Sequence, residues 1–341
     1  MARAEFWQIR FPIPGMTQAL AREAEENGWD GFVFADTQNL SGDPYTGLSL
    51  AAKATERLKL GIGVTNPVTR HPAVTASAIM TVQVESDGRA ELGIGRGDSS
   101  LGYLGRDPAP VSHLERYLQQ VQGYLRGQAV DLDGFASRLQ WLEAAGQPKV
   151  PVHVAATGPR VIALAARHAE RIMFAVGAEL DRLRWAVALA RTKRQEQGQD
   201  PYGVALGAYV NVVVHPDVAA ARASTRGTIG MFAHFSGMRG AATELLRPDD
   251  RVVVERFASG YDMAHHGHNA AAHASYLTDE FIERFAVIGP PERCVARLQA
   301  LVDLGLDRFI IVGPSPDGDP KVRAESSRLL AQEVIPALRG R

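Results

Sequence analysis

Eight short apolar runs punctuate the chain: Phe6 to Phe11, Gly31 to Ala35, Leu58 to Val64, Ala90 to Ile94, Val150 to Ala155, Arg171 to Val176, Leu206 to Val214 and Arg308 to Val312. Several are apolar at odd and even positions alike, as expected of parallel strands buried on both faces. Between them apolar residues recur at helical spacing. Met16, Ala19, Leu20 and Ala24 share a face that stops at Asn27-Gly28, and Leu114, Tyr117, Leu118, Val121 and Leu125 form a stripe that stops at Gly127. Further faces run from Val74 to Val84, Val161 to His168, Leu183 to Ala190 and Val322 to Val334. Strands alternating with helices at this spacing imply an α/β chain with a parallel sheet, and eight such units imply a (β/α)8 TIM barrel. A doubly wound open sheet is the alternative that the pattern leaves standing.

Two stretches exceed the minimal unit. Asp131 to Gln147 reads as a loop-like excursion. Residues 219–288, rich in Gly, His and Met, are too long for one crossover and predict a helical insertion before the last strand, placed over the barrel mouth. No repeat or low-complexity linker interrupts the pattern, so residues 1–341 are expected to form a single domain.

Composition narrows the class. With 45 % hydrophobic and 22 % charged residues, the chain is ordinary globular protein, and its formal net charge of −1 argues against nucleic acid or an anionic membrane as the main partner. One cysteine, Cys294, excludes an internal disulfide and reads as a small buried apolar residue. No apolar stretch follows a basic start, and no run approaches a membrane span. A soluble, cytoplasmic protein is expected.

In a parallel barrel the residues just past each strand line the active site. Here they are Asp36-Thr37-Gln38-Asn39, Thr65-Asn66-Pro67, Gly95-Arg96-Gly97-Asp98-Ser99, Thr157-Gly158-Pro159, Val176-Gly177 and Gly313-Pro314-Ser315. The set is small and singly polar. It lacks the paired carboxylates of glycoside cleavage and the G-x-S-x-G elbow of serine hydrolases. It suits a flat ligand lying against backbone. Gly93-Ile94-Gly95-Arg96-Gly97-Asp98 misplaces the third glycine of a dinucleotide fingerprint and reads instead as a tight turn. Thr157-Gly158-Pro159-Arg160 offers a helix start as a phosphate cradle, or simply a capped helix. His265, His266, His268 and His273, near Asp262, lack the spacing of a zinc site, so no metal is expected and a polar lid is the reading. His71 before Pro72 is either a site residue or a helix cap.

The stretch Gly61-Ile62-Gly63-Val64-Thr65-Asn66-Pro67-Val68-Thr69-Arg70-His71-Pro72, followed by Gly88-Arg89-Ala90-Glu91-Leu92-Gly93-Ile94-Gly95-Arg96-Gly97-Asp98-Ser99, resembles the luciferase-like flavin family. It is most similar to the branch holding methylenetetrahydromethanopterin reductases and other enzymes of the deazaflavin coenzyme F420. Asp36, Ala156-Thr157-Gly158-Pro159 and Ile288-Gly289-Pro290-Pro291-Glu292 extend the likeness over the whole chain except parts of the insertion. The resemblance implies a luciferase-like barrel that transfers hydride between F420 and a small organic substrate, commonly as a homodimer. It implies Asp36 beside the ring, and Thr65 and Asn66 on a third-strand bulge, often with a non-proline cis peptide. Gly95, Arg96 and Ser99 would contact ring or ribityl. Thr157, Gly158 and Val161 would hold the phosphate, with Val176 flanking the tail. Asp36, Asn66 and Arg96 are the candidates for polar catalytic roles.

One departure stands out. The glucose-6-phosphate dehydrogenases of that branch carry His after the Asp and Glu in the fourth-strand turn, where this chain has Thr37 and Arg96. Arg96 favours an anionic substrate or the cofactor's acidic tail. The rivals are an FMN-dependent monooxygenase on the same barrel and a flavin-binding protein without catalysis.

Overall fold

All eight apolar runs form strands in the computed structural model, which describes residues 3–237 and 243–340. In chain order the strands are β1 (Glu5–Arg10), β2 (Gly31–Phe34), β3 (Lys59–Thr65), β4 (Ala90–Ile94), β5 (Val130–Leu132), β6 (Phe135–Ser137), β7 (Val152–Ala156), β8 (Arg171–Phe174), β9 (Ala205–Val214), β10 (Val287–Gly289) and β11 (Arg308–Val312). The main sheet runs β10-β9-β11-β1-β2-β3-β4-β7-β8, and β9 also pairs with β8. That extra pairing returns the sheet to itself, so the fold is the (β/α)8 barrel and the open sheet is excluded. The registers of β1 with β2, β2 with β3, β3 with β4 and β4 with β7 are parallel, as are those of β9 with β10 and β11.

The register between β3 and β4 slips between Ile62 and Thr65, and the peptide between Gly63 and Val64 is cis. The expected third-strand bulge is therefore present, with its cis bond just before Thr65. Three features escape the apolar pattern. The antiparallel pair β5–β6 lies in the excursion that reads as loop. β10, three residues long, pairs with Val212, Val213 and Val214 at the end of β9. A helix spans Pro44–Ala54, opened by Asp43, whose side chain accepts from the Thr46 amide, with Pro44 in the first helical position.

The described residues form two compact units. One comprises Trp7–Ala155 and His168–Arg171. Its strands are packed on both faces: Phe32, Val33 and Phe34 of β2 and Leu60 and Ile62 of β3 are fully buried. Close approach sets the small residues here. A Cβ on Gly31 would lie 2.2 Å from the Trp7 ring, so only glycine fits. Far from the strand C-termini, Arg89 ties the helix at Pro44–Ala54 to the barrel, donating to the carbonyls of Ala52, Thr55, Leu58 and Ser86.

The other unit comprises Met1–Phe6, Ala156–Arg167 and Ile172–Arg341. The insertion lies within it. It opens with the helix Val218–Gly237; residues 238–242 lie outside the described residues; then come the 3-10 turn Thr243–Leu245, the helix Pro248–Gly260, two further 3-10 turns and Asp279–Phe285. Its interior is aromatic. Tyr261 stacks on His234 at 4.2 Å and on His273 at 4.3 Å, and Phe257 meets His273 and Tyr276 edge-on.

Candidate functional site

The first cluster lies in the unit that holds β2, β3 and β4. Asp36, two residues past β2, is 3 % exposed. Its Oδ2 accepts from Thr65 Oγ1 at 2.7 Å and from Arg70 Nε at 3.1 Å. Arg70 is shared: its Nη2 reaches Asp43 Oδ2 at 2.5 Å, and its guanidinium carbon sits 4.6 Å from the centre of the Tyr45 ring. Between two carboxylates, the Arg70 guanidinium is held protonated well above its ordinary range, against the cost of burial. Tyr45 is buried, its hydroxyl makes no well-formed hydrogen bond, and burial beside Asp36 pushes its pKa up. Nearby, Thr75 Oγ1 and Tyr117 Oη meet at 2.5 Å.

Asn66 is also buried, yet its amide is committed within the fold. Oδ1 accepts from the amides of Val68 and Thr69, and Nδ2 donates to Thr69 Oγ1 and Ser100 Oγ. The side chain thus organises the turn after β3. Ser100, not Ser99, is the hydroxyl that meets it. Ser99 begins the short helix Ser99–Gly102 and is half-buried. Arg96 donates from Nε to the Ala109 carbonyl at 2.7 Å while the Ala109 amide donates back to the Arg96 carbonyl, so part of its guanidinium serves loop geometry. His71 accepts from the Ala73 amide and caps the helix Pro72–Glu85, which is the capping alternative of the sequence reading. Thr37 is buried, and Gln38 donates to the Ser100 carbonyl at 2.8 Å.

The glycines of the fourth-strand turn answer to packing. A Cβ on Gly93 would come within 2.2 Å of His153 Nε2 and 2.3 Å of the Ile62 carbonyl, and one on Gly95 within 2.8 Å of Val64. Gly97 has φ +80°. The sequence between Gly93 and Gly97 is therefore a close-packed strand end with a tight turn, as read from the misplaced third glycine.

The remaining candidates lie in the other unit. Thr157 and Gly158 precede the helix Pro159–His168, and the Gly158 carbonyl accepts from the amides of Val161 and Ile162. The Val161 amide is thereby engaged, and its side chain is buried. Val176 is fully buried, and its carbonyl accepts from the buried Arg182, which also donates to Ser236 Oγ at 3.0 Å. Past β11, a Cβ built on Gly313 would meet nothing within 4 Å, so open space adjoins this backbone. Tyr209 and Asn211, two apart on β9, are buried, and their polar side-chain atoms lack hydrogen-bond partners. Among the described residues, no three His, Cys, Asp or Glu side chains gather as a metal site. Of the clustered histidines singled out in the sequence, His265 pairs with Asp262 at 2.6 Å, His266 meets Tyr261 Oη at 2.8 Å, and His273 accepts from the Asp262 amide at 3.1 Å. His268 lies 3.9 Å from Asp317.

Sequence reasoning assigned no role to Arg70, Asp43 or Tyr45. Their signal was present in part: Asp43-Pro44 is a helix-start pair, and Arg70 lies inside the quoted third-strand motif. Their meeting at Asp36 depends on side-chain directions that spacing does not fix. Tyr209, Asn211 and Arg182 sit in apolar runs and helical stripes where periodicity marks only burial.

Residues 13–308 match the model of a family described as luciferase-like monooxygenase. A 5,10-methylenetetrahydromethanopterin reductase from Methanolobus tindarius is 29 % identical over 327 residues, covering 92 % of this chain and 94 % of that protein. An F420-dependent glucose-6-phosphate dehydrogenase from Beutenbergia cavernae is 28 % identical over 341 residues, covering 93 % and 91 %. Among solved structures, the coenzyme F420-dependent tetrahydromethanopterin reductase from Methanopyrus kandleri superposes with a TM-score of 0.76 at 24 % identity, covering 99 % of this chain and all of that one.

Proposed function

Since the chain belongs to the luciferase-like monooxygenase family, we propose that it is an F420-dependent oxidoreductase that moves a hydride between the deazaflavin coenzyme and a small organic substrate. The observation that carries this reading is the buried Asp36 carboxylate, held by Thr65 and Arg70 directly past β2. Two relatives named as F420-dependent glucose-6-phosphate dehydrogenases, each matched over 91 % of its length, support it.

The donor set fits the group. A ring with polar N–H and carbonyl edges needs a fixed acceptor, a spare hydroxyl and backbone without side chains. Asp36 and the Tyr45 hydroxyl supply the first two on one unit, and the proposed backbone contacts are Gly95 and Gly97, whose lack of a side chain also answers to Val64, Leu101 and Asn66 beside them. On the other, Thr157, Gly158, Val161 and Val176 are the proposed phosphate and tail contacts; with the Val161 amide engaged by the Gly158 carbonyl, the anion falls to the backbone of Thr157 and Gly158 ahead of the helix. When bound, F420 supplies the carbon that accepts or gives the hydride. The chain orients it and keeps water away. The hydrogen bonds from Thr65 and Arg70 both go to Asp36 Oδ2, so Oδ1 is the oxygen through which it accepts a further hydrogen bond. Thr65 presents its hydroxyl oxygen as an acceptor while its proton is given to Asp36. Asn66 keeps the backbone after the bulge in place. Arg96 and Ser99 are the polar contacts on the fourth-strand side.

Thr37 and Arg96 make sugar-phosphate oxidation a poor fit, because they replace the acid/base pair expected for it. The reading treats the chain as one luciferase-like domain, consistent with a family match that spans residues 13–308. It also takes the enzyme to be a cytoplasmic homodimer. No helix among the described residues is long and apolar enough to cross a membrane.

Parallel titration with F420 and FMN tests the reading. Saturable F420 binding, followed by substrate-dependent change of its visible absorption, is the expected outcome. Tight FMN binding with oxygen-dependent turnover and no response to F420 would replace it with the monooxygenase reading. Stoichiometric binding without turnover of any substrate would leave a flavin-binding protein.

A further inference from the structure

We infer that Arg70 is a positioning residue: clamped by Asp43 and Tyr45, it fixes the Asp36 carboxylate in the orientation that receives the cofactor ring. The inference rests on the F420 reading of Asp36 and adds to it the device that sets its geometry.

A carboxylate on a loop just past a strand has two torsions to lose, and burial away from water penalises its charge unless a cation and donors accompany it. Asp36 is 3 % exposed and has both: Thr65 Oγ1 at 2.7 Å and Arg70 Nε at 3.1 Å, converging on one oxygen. The cation is itself held. A guanidinium presents donors in a rigid planar fork. Arg70 spends Nε on Asp36 and Nη2 on Asp43 at 2.5 Å, so the two carboxylates define the plane of the fork. The Tyr45 ring, with the guanidinium carbon 4.6 Å from its centre, covers one face of that plane.

Each anchor is in turn tied to secondary structure. Asp43 also accepts from the Thr46 amide as the N-cap of the helix Pro44–Ala54, and Tyr45 is a buried residue of that helix's first turn. Arg70 stands just before the helix Pro72–Glu85, behind the turn that Asn66 organises. The direction of Asp36 is thus set by the helix after β2 and the turn after β3. A lysine could carry the charge but not both bonds in one plane.

Arg70 has no proposed contact with the cofactor, so its effect must pass through Asp36. Groups that act through one another are non-additive, whereas separate structural contributions add. The test is a double-mutant cycle on the full chain. The dissociation constant of F420 is measured by fluorescence titration for wild type, Asp36→Asn, Arg70→Gln and the double variant, with melting temperatures alongside. Expected: Asp36→Asn and Arg70→Gln each weaken F420 binding by about tenfold or more, tenfold being about 1.4 kcal/mol, and the double variant is no weaker than the worse single one. Arg70→Lys recovers only part of the affinity. Asp43→Asn removes the second anchor while leaving a good N-cap, since Asn caps as well as Asp. It is expected to melt near wild type yet bind F420 about threefold more weakly, about 0.65 kcal/mol.

Unchanged F420 affinity in Arg70→Gln, or losses that add in the double variant, would overturn the inference while leaving the F420 reading intact. Should Arg70→Gln fail to fold, Asp43→Asn decides, and wild-type affinity there overturns the clamp. Failure of the wild type itself to bind F420 removes the reading and the inference together.

Discussion

Asn66 offers the sharpest separation between a residue that builds the site and one that reacts in it. Asn66→Ala removes four hydrogen bonds at once: those from the Val68 and Thr69 amides at 2.9 and 3.0 Å, and those to Thr69 Oγ1 and Ser100 Oγ at 3.0 and 3.1 Å. At a net ~1 kcal/mol each, the loss is about 3–4 kcal/mol, some of it the cost of two backbone amides left unpaired. For a long chain 1 kcal/mol corresponds to roughly 2 °C, so melting should fall by about 6–8 °C. Asn66→Asp is the control. Its carboxylate still accepts both amides, and the Thr69 and Ser100 hydroxyls can turn to donate to it. That variant should lose less than half as much. Thermal melts by circular dichroism, checked by urea unfolding, measure both. An Asn66→Ala protein that melts within about 1 °C of wild type would show that the amide does not hold the turn. An Asn66→Asp protein as weak as Asn66→Ala would show that acceptance from the two amides is not what matters.

Two further outcomes follow from burial. His273 is 1 % exposed, with Nδ1 accepting from the Asp262 amide. Burial, with the charges of His234 and His265, lowers its pKa, and the Asp262 carboxylate opposes them only in part. The unfolded ring protonates as pH falls through about 6.5 while the folded one resists. Its contribution to stability is therefore full above about 6.5 and lost as pH falls below it. The melting temperature should drop between pH 7.5 and 5.5, and His273→Gln should shrink that drop; an identical drop in both proteins would remove His273 as its cause. Cys294 is fully buried 3.4 Å from the Gly289 carbonyl, and burial pushes its thiol up to about 12, against Arg293 and Arg297. A colorimetric thiol reagent at pH 8 should find no reactive thiol in the native protein and one per chain in guanidinium, whereas native reaction at the rate of a free thiol would contradict its burial.

Much of the barrel was legible because its signal is local. A strand buried on both faces is apolar at both parities, as several of the eight runs are, and all eight became strands: β1 to β4, β7 to β9 and β11. The features that escaped are too short or too polar to carry periodicity. β10 has three residues, and the β5–β6 pair is largely exposed. The helix Pro44–Ala54 was marked by its cap rather than its stripe, since Gly47, Ser49 and Thr46 dilute the apolar face. At the candidate site, the strand-end rule located Asp36, Thr65 and Asn66, but not what each side chain does.

Burial and strand order are written residue by residue, because the cost of exposing an apolar side chain is paid wherever it sits in the chain. For this protein that was enough to determine the alternation of elements and the family, and to mark the positions past each strand as candidates for chemistry. Which way a side chain points, and whom it meets, depends on partners distant in sequence. Asp36 meets Thr65 and Arg70 across 29 and 34 positions, Asn66 meets Ser100 across 34, and Gly93 is glycine because His153 stands beside it. Those pairings arise only once the strands are in register. Tertiary structure alone therefore decided that Asn66 holds a turn, that His71 caps a helix and that Asp36 comes with a clamped arginine.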